Sequence, residues 1–333
     1  GWPLGLVAWG GFVWAIVRVL RRKMRNLVAE PALIVMLAWA GPYFATTGSF
    51  HTKFLRYMAP LLPFLLVFGA GAAVSGYRWL RGRWGRRGQV IWAVTALAVA
   101  VFTVGWALAF TGVYRQEHPW LQASRWIYVN IPAGNKLLTE HWDDALPLRM
   151  DEVPSRPPLR EYERVELPLY DPDTPEKLDA LVAELSSADY LIIASNRLYV
   201  PIGRLSGRYP MTSQYYRLLF EGRLGYRQVA AFSAYPTLGR LVIPDDHADE
   251  SFTVYDHPRV LIFANTERLS PTLLRARLGR YLPQGARKDL AELRGVVDAH
   301  GATADENGGL VADRPQQAIR CFPHSLCIFG TGG

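Results

Sequence analysis

The sequence predicts an all-α membrane region of about four transmembrane helices, followed by a soluble α/β domain with a mostly parallel sheet. Three runs contain no charged residue, namely residues 31–50, 57–77 and 89–114, and residues 1–17 form a slightly shorter fourth run. Each run is about the length that crosses a ~30 Å hydrocarbon core at a rise of ~1.5 Å per residue. After residue 114, short apolar runs alternate with amphipathic segments, which is typical of strands and helices in an α/β domain.

These patterns divide the chain into three parts. In residues 1–114 the transmembrane helices are predicted at about 2–18, 31–50, 56–77 and 89–113. Residues 115–270 form the predicted α/β domain. Residues 271–333 begin with helical periodicity and end in a glycine-rich, aperiodic stretch that we expect to be a poorly ordered tail.

The soluble part contains clear local signals. Strands are predicted at 136–139, 165–170, 190–194, 227–232 and 260–263, and helices at 119–129, 174–187 and 212–221. The helix at 174–187 has the strongest start signal, because Thr174 precedes Pro175 and can cap the first turn.

The basic residues predict how the chain crosses the membrane. One cluster follows the first apolar run, and Arg78, Arg81, Arg83, Arg86 and Arg87 separate the last two runs. The positive-inside rule places both clusters in the cytoplasm, so everything after residue 114 is expected outside it. The net charge of +8 is then explained by contact with anionic membrane lipid, without any nucleic acid partner. We therefore predict a multi-pass protein of the cell membrane with an extracytoplasmic C-terminal domain.

The third apolar run is preceded by Lys53, Arg56 and Tyr57 and carries two prolines in its first turns. One interpretation is that cations and a tyrosine anchor the helix end at the membrane surface. The other is that these three residues bind an anionic lipid headgroup such as a polyprenyl phosphate. Both interpretations fit the residue types.

Polar residues follow two of the predicted strands. Glu140, His141, Asp143 and Asp144 follow the first strand and surround Trp142, and Asn196 and Arg197 follow the strand at 190–194. Ligand sites in open α/β sheets gather at the carboxyl ends of strands, so these six residues are candidates for binding a sugar or an acceptor. Arg197, Arg204 and Arg208 are candidates for a phosphate or carboxylate. The alternative is that all of them only cap helices and pair with neighbouring charges.

The densest acidic cluster is Asp245, Asp246, His247, Asp249 and Glu250, followed by Asp256 and His257. Carboxylates can ligate calcium and histidines can ligate zinc, so a divalent metal is one interpretation. The spacing is not that of an EF-hand loop, and a solvated acidic loop is the other interpretation. No cofactor is certain from the sequence.

Several phrases resemble one enzyme family. The segment 53–63, KFLRYMAPLLP, resembles a helix entry of dolichyl-phosphate-mannose–protein mannosyltransferase-like enzymes, which are family 39 glycosyltransferases of the multi-span GT-C type. The phrases ASRWIY (123–128), EHWDD (140–144), SNRLY (195–199) and VYDHP (254–258) resemble the C-terminal extracytoplasmic domain of bacterial members.

The resemblance implies that the chain is the C-terminal fragment of an enzyme that transfers a hexosyl group from a polyprenyl-phosphate donor to an extracytoplasmic acceptor. It also implies a catalytic aspartate in the first extracytoplasmic loop, and no position of this chain corresponds to that loop. We therefore assign no catalytic residue, and the upstream part of the same protein becomes an expected partner. The alternative is a non-catalytic, membrane-anchored binding or scaffold module.

Overall fold

The computed structural model describes residues 1–21, 30–50, 55–150 and 161–282. Its N-terminal part is helical, with α1 at Trp2–Arg21, α2 at Pro31–Ser49 and α3 at Leu62–Thr111. A 3₁₀ segment, Leu55–Leu61, leads into α3. The two prolines at the entry of the third apolar run therefore fall in the 3₁₀ segment and in the first turn of α3, where a missing amide hydrogen costs little.

Helix α3 is a helical hairpin with two arms. Its helical dihedrals are interrupted at Gly85, which has φ 53° and ψ −127°. The arms lie side by side, because the Trp92 indole donates to the Ala73 carbonyl at 3.0 Å and Gln89 Nε2 donates to the Tyr77 hydroxyl at 3.2 Å. The predicted spans 56–77 and 89–113 thus correspond to the two arms of one element.

Two helical stretches in the described part of the chain are long and apolar enough to cross a membrane, Trp2–Arg21 and Leu55–Asn130. The prediction of four separate spans is therefore not met. Two of the predicted spans lie in the single stretch that contains α3. Helix α2 is not among the candidates, since glycine, proline and hydroxyl residues dilute its C-terminal half.

Helix α1 packs against α3 through small residues. A side chain at Gly11 would collide with the backbone of Gly69, so the two helices meet at backbone distance. Small residues allow such close approach between helices in lipid. On the other side, α3 exposes large apolar residues such as Leu97 (64 % exposed) and Val101 (63 %). A helix that is apolar all round and exposed in this way is suited to a lipid surround rather than to water.

The helices of the C-terminal part are α4 Pro119–Asn130, α5 Pro175–Ser187, α6 Tyr199–Arg204, α7 Pro210–Phe220, α8 Glu250–Thr253 and α9 Pro271–Gly279. The strands are β1 Lys136–Glu140, β2 Glu163–Leu167, β3 Tyr190–Ile193, β4 Tyr226–Phe232, β5 Thr237–Leu238, β6 Leu241–Val242 and β7 Val260–Asn265.

Five strands form one sheet in the order β2-β1-β3-β7-β4. Strands β2, β1 and β3 are parallel, whereas β7 runs antiparallel to both β3 and β4. The sheet is therefore mixed, and the prediction of a mostly parallel sheet is wrong. Strand β7 runs antiparallel to β4 because the connection between them contains only the small β5–β6 hairpin and the one-turn helix α8. A parallel arrangement would need a long crossover helix there.

Helix α4 covers one face of the sheet, where Ile127 packs with Leu137, Ile192 and Ile262 in a fully buried cluster. The end of α3 contacts α8 and the loop after it, because the Phe110 ring lies 5.4 Å from Phe252 of α8 and 5.7 Å from His257 of the loop. Just beyond the helix, the Tyr114 hydroxyl donates to Asp256 at 2.7 Å. These contacts hold α8 and the loop after it at the end of α3.

Candidate functional site

A cavity of about 520 Å³ lies where the 3₁₀ segment, the carboxyl ends of β1 and β3, and α8 meet. We call it the large cavity. Its polar and aromatic lining includes Arg56, Trp142, Tyr170, Arg197, Arg204, Asp249, Glu250 and Tyr255. Apolar side chains of α6 complete the wall. A cavity of this size is within the range that binds small ligands.

Arg197 is a cation of the large cavity that several neighbouring groups hold in place. Its Nη1 donates to the Trp142 carbonyl at 2.6 Å and lies 3.3 Å from Asp143 Oδ1. The other Asp143 oxygen accepts a hydrogen bond from the Ser195 hydroxyl, which in turn accepts from the Arg197 amide at 3.0 Å. The guanidinium also lies over the Tyr255 ring, 5.4 Å from its centroid. One side chain therefore joins the loops that follow β1, β3 and α8.

Asp143 supports this arrangement from behind. Burial raises the pKa of the Asp143 carboxyl, while the hydrogen bond from Ser195 and the charge of Arg197 oppose that rise. Only 6 % of its side chain is exposed, and Asp143 is absent from the cavity lining. Its role in this geometry is to position Arg197 rather than to meet a ligand.

Trp142 has an unusual backbone conformation. Its φ is 70°, a left-handed value that is rare for a bulky residue. The bond from Arg197 to its carbonyl holds this conformation, and the indole lies 4.1 Å from the Tyr170 ring. Trp142 is 57 % exposed, so one aromatic surface stays open toward the cavity. Strained residues of this kind concentrate at functional sites.

The wall nearest the N-terminal apolar helices comes from the 3₁₀ segment. The Leu55 amide donates to the Ser251 hydroxyl at 3.2 Å, which ties this segment to α8. Asp249 accepts from the Ser251 amide at 3.1 Å and so caps α8. Arg56 lines the cavity with its guanidinium 5.7 Å from the Tyr57 ring. The cation at the helix entry and the cation after β3 therefore share one cavity.

The cavity contains acids as well as bases. Burial raises the pKa of Glu250, and the charge of Arg197 opposes this shift. Together with Asp249, Glu250 balances part of the charge of Arg56, Arg197 and Arg204. The mixed lining can hold a ligand that carries both an anionic group and hydroxyl groups.

The structure brings together some of the predicted site residues and separates others. Arg56 and Arg197 line the large cavity, and Asp143 lies directly behind it. Tyr57 is placed outside the lining, because its carbonyl accepts from Tyr43 and its ring packs edge-on against Phe50. Lys53 lies outside the described residues.

The remaining predicted residues point elsewhere. His141 turns toward β2, where its Nε2 lies 3.2 Å from Glu166. Asp144 is exposed and does not line the large cavity. Glu140 is buried behind the sheet edge, and burial raises its pKa to about 8. Asn196 is also buried, accepts from the Thr253 hydroxyl at 3.2 Å and thereby links the loop after β3 to α8.

The acidic cluster at 245–257 is engaged with protein groups. Asp245 pairs with His257 at 2.8 Å, Asp246 with Arg259 at 3.1 Å, and Asp256 with Tyr114. Within the described ranges, no group of three or more histidine, cysteine or acidic side chains is placed to hold a metal ion. The predicted divalent metal therefore cannot be assigned to a site among the residues that the structure describes.

Comparison with family models, with curated protein sequences and with solved structures finds no match to this chain. The resemblance to family 39 glycosyltransferases therefore rests on the sequence phrases and stays a prediction.

Among the lining residues that were not predicted as site residues, two are tyrosines. Tyr170 follows β2 and Tyr255 follows α8; in the sequence Tyr170 ends the predicted strand 165–170, and Tyr255 lies in the phrase VYDHP. A signal for Tyr170 was present, since it follows a strand just as Trp142 does. No local signal brings Tyr255 to the sheet edge, because its place depends on the antiparallel return of β7.

Proposed function

We propose that this chain is the C-terminal part of an integral-membrane glycosyltransferase that uses a polyprenyl-phosphate sugar and an extracytoplasmic acceptor. In this proposal the large cavity holds the phosphate and sugar of the donor. The resemblance of the sequence phrases to family 39 enzymes supports the reaction class. The catalytic aspartate would come from an upstream part of the same protein.

The observation that carries the proposal is that Arg56 shares one cavity with Arg197 and Trp142. Arg56 belongs to the entry of a membrane-length helix, where a lipid phosphate would lie. Arg197 and Arg204 offer two further cations, and Coulomb attraction to a phosphate grows as the surroundings become less polar. Trp142 offers an aromatic face for the apolar side of a sugar ring.

The topology predicted from the basic residues agrees with a donor site on the outer side. The turn between the arms of α3 carries Arg78, Arg81, Arg83, Arg86 and Arg87. If both arms cross the bilayer, this basic turn lies on the opposite side from Thr111 and the domain that follows. The positive-inside rule then makes the turn cytoplasmic and the large cavity extracytoplasmic.

A second function is a membrane-anchored binding module without catalysis. It is favoured by the contacts that two acidic side chains at the site already make with protein groups. Asp143 is occupied by Ser195 and Arg197, and Asp249 caps α8. Acids committed in this way suit binding better than proton transfer. Both functions share the same ligand chemistry at the large cavity.

The first test is donor binding. The full chain in lipid nanodiscs is titrated with a short-chain polyprenyl-phosphate mannose, and the dissociation constant is measured for wild type, Arg56→Ala and Arg197→Lys. We expect Arg56→Ala to weaken binding by about tenfold, because it removes one charge-assisted contact to phosphate. We expect Arg197→Lys to weaken it by a similar factor, because lysine keeps the charge but loses the planar geometry of the guanidinium. Arg217→Ala is the matched control, because Arg217 lies on α7 and pairs with Glu221 at the surface. Equal binding by all four proteins would contradict the proposed site.

The second test separates the two functions. Transfer from a radiolabelled donor is measured for the full-length protein and for the same protein carrying Arg56→Ala. Loss of transfer in the variant supports the glycosyltransferase. Donor binding without any transfer by a well-folded full-length protein supports the binding module.

A further inference from the structure

The connection between β4 and β7 forms a two-stranded hairpin, β5–β6, with the sequence TLGRLV over residues 237–242. Thr237 pairs with Val242 and Leu238 with Leu241, and Gly239 and Arg240 make the turn. Gly239 has φ 60°, which a two-residue turn favours and glycine adopts freely. The Ile243 amide donates to the Pro236 carbonyl at 2.9 Å and extends the ladder by one rung.

This hairpin exposes apolar side chains on both faces. Cross-strand partners share a face, so Leu238 and Leu241 lie on one face and Val242 on the other. They are 44 %, 59 % and 51 % exposed, respectively. An isolated two-stranded hairpin is marginally stable in water, and exposed apolar residues on both faces add nothing to its stability there. The exposed apolar side chains are therefore available to an apolar surrounding such as lipid.

The base of the hairpin is fixed to the end of α3. A Cβ placed on Gly112 would lie 2.4 Å from the Thr237 hydroxyl, so hairpin and helix end are in direct contact. Gln116 Nε2 also donates to the Tyr235 carbonyl at 2.9 Å and to the Gly112 carbonyl at 3.1 Å. The hairpin is thus held at the point where the apolar surface of α3, with Leu108 54 % exposed, comes to an end.

We propose that the β5–β6 hairpin is a membrane-surface anchor that buries Leu238, Leu241 and Val242 at the boundary between lipid headgroups and acyl chains. The lipid surface is the occupant because β5 contacts the end of α3, the helix whose exposed apolar residues suit a lipid surround. Arg240 at the turn supplies a cation for a lipid phosphate, as basic residues at membrane surfaces do. The inference rests on the membrane-crossing part of the proposed function and is independent of sugar transfer.

The test uses the full chain in vesicles of phosphatidylcholine and phosphatidylglycerol, with Cys321 and Cys327 replaced by serine. A single cysteine at Leu241 or Val242 carries an environment-sensitive fluorophore, and quenching by iodide in water is compared with quenching by spin-labelled lipid. Leu273→Cys is the matched control, because Leu273 is an exposed leucine on α9, which packs against α5 and α7. Leu97→Cys reports whether α3 itself lies in lipid.

We expect the labels at Leu241 and Val242 to show blue-shifted emission, quenching by the lipid probe and little quenching by iodide. The label at Leu273 should show the reverse. If spin-labelled lipid quenches the label at Leu97 but iodide quenches those at Leu241 and Val242, the anchor is refuted, whereas the membrane crossing of α3 is supported. Protection of the hairpin labels from both quenchers would indicate a covering protein surface and also refute the anchor. If spin-labelled lipid does not quench the label at Leu97, both the membrane crossing of α3 and the anchor are refuted.

Discussion

The carboxyl group of Glu140 lies at the end of β1 among the rings of Tyr215 and Tyr216. Burial raises the pKa of Glu140 to about 8; the Tyr216 hydroxyl opposes this rise and the charge of Asp143 adds to it. Glu140 Oε1 is buried without a hydrogen-bond partner among the described residues. At neutral pH the neutral acid is therefore the main form, which lets the group stay buried beside Asp143.

Glu140 makes stability depend on pH in a defined direction. The folded chain keeps a proton on Glu140 up to about pH 8, whereas the unfolded chain loses it near pH 4.5. The folded state holds more protons in this window, so the free energy of unfolding falls as pH rises through it, by a few kcal/mol in total. Glu140→Gln is expected to flatten this fall, measured as thermal unfolding midpoints of the full chain in detergent at pH 5 and pH 8.

The control for this prediction is Glu267→Gln, which changes an exposed carboxyl after strand β7. It should leave the difference between the two midpoints as in wild type. If the unfolding midpoint falls by the same amount between pH 5 and pH 8 in Glu140→Gln and in wild type, Glu140 is not the group responsible for the pH dependence.

At the residue level, part of the site follows from sequence alone. Trp142 and Arg197 meet because β1 and β3 are adjacent parallel strands whose carboxyl ends share an edge. The same rule fails for His141, which comes between Glu140 and Trp142 but turns toward Glu166 of β2. Residue order places side chains at an edge, but only packing decides which of them faces the cavity.

At the scale of elements, a buried ion pair fixes the loop that carries Tyr170. Lys177 Nζ lies 3.1 Å from Asp173 and donates to the carbonyls of Leu169 at 2.9 Å and Asp171 at 2.7 Å. Asp173 also accepts from the amide of Met211 at 2.7 Å at the start of α7. The pair therefore joins α5, α7 and the loop after β2.

We expect Asp173→Ala to destabilise the chain by about 3–5 kcal/mol, because it leaves the Lys177 charge buried without its partner. The start of α7 also loses its cap. Thermal unfolding of the full chain in detergent measures the effect. Asp171→Ala is the control, since Lys177 contacts the Asp171 carbonyl and the substitution keeps that backbone group. A loss no larger than that of Asp171→Ala would contradict a structural role for the pair.

The elements themselves were largely predictable, but their directions were not. The run 260–263 is predicted as a strand because it is short, apolar and β-branched, and the structure has β7 at Val260–Asn265. Such a run indicates a strand that is buried on both faces, but it does not indicate whether the strand runs parallel or antiparallel to its neighbours. The antiparallel course of β7 depends on the residues 233–259 before it, whose short hairpin and single helical turn give weak periodic signals.

For the whole molecule, the apolar runs predicted membrane-length helices but not how they join. Uncharged length shows that residues 57–77 and 89–114 are helical, whereas the reversal at Gly85 within α3 depends on one positive φ. The large cavity is likewise a property of the whole chain, since its lining comes from residue 56 through residue 255. Residues so far apart in the sequence produce no local sequence pattern from which the cavity could be predicted.

The orientation of the molecule is the last prediction. In a chain whose native cysteines are replaced by serine, a cysteine at Ser187, exposed at the end of α5, should react with a membrane-impermeant maleimide added to intact cells. A cysteine at Gly82, in the basic turn between the arms of α3, should react only after the cells are permeabilised. The physical reason is that the arginines of that turn are retained on the cytoplasmic side, which leaves the domain after Thr111 outside. Reaction at Gly82 in intact cells, with Ser187 protected, would invert the topology and remove the large cavity from the extracytoplasmic side. Reaction at both positions in intact cells would show that the two arms of α3 do not cross the membrane as a pair.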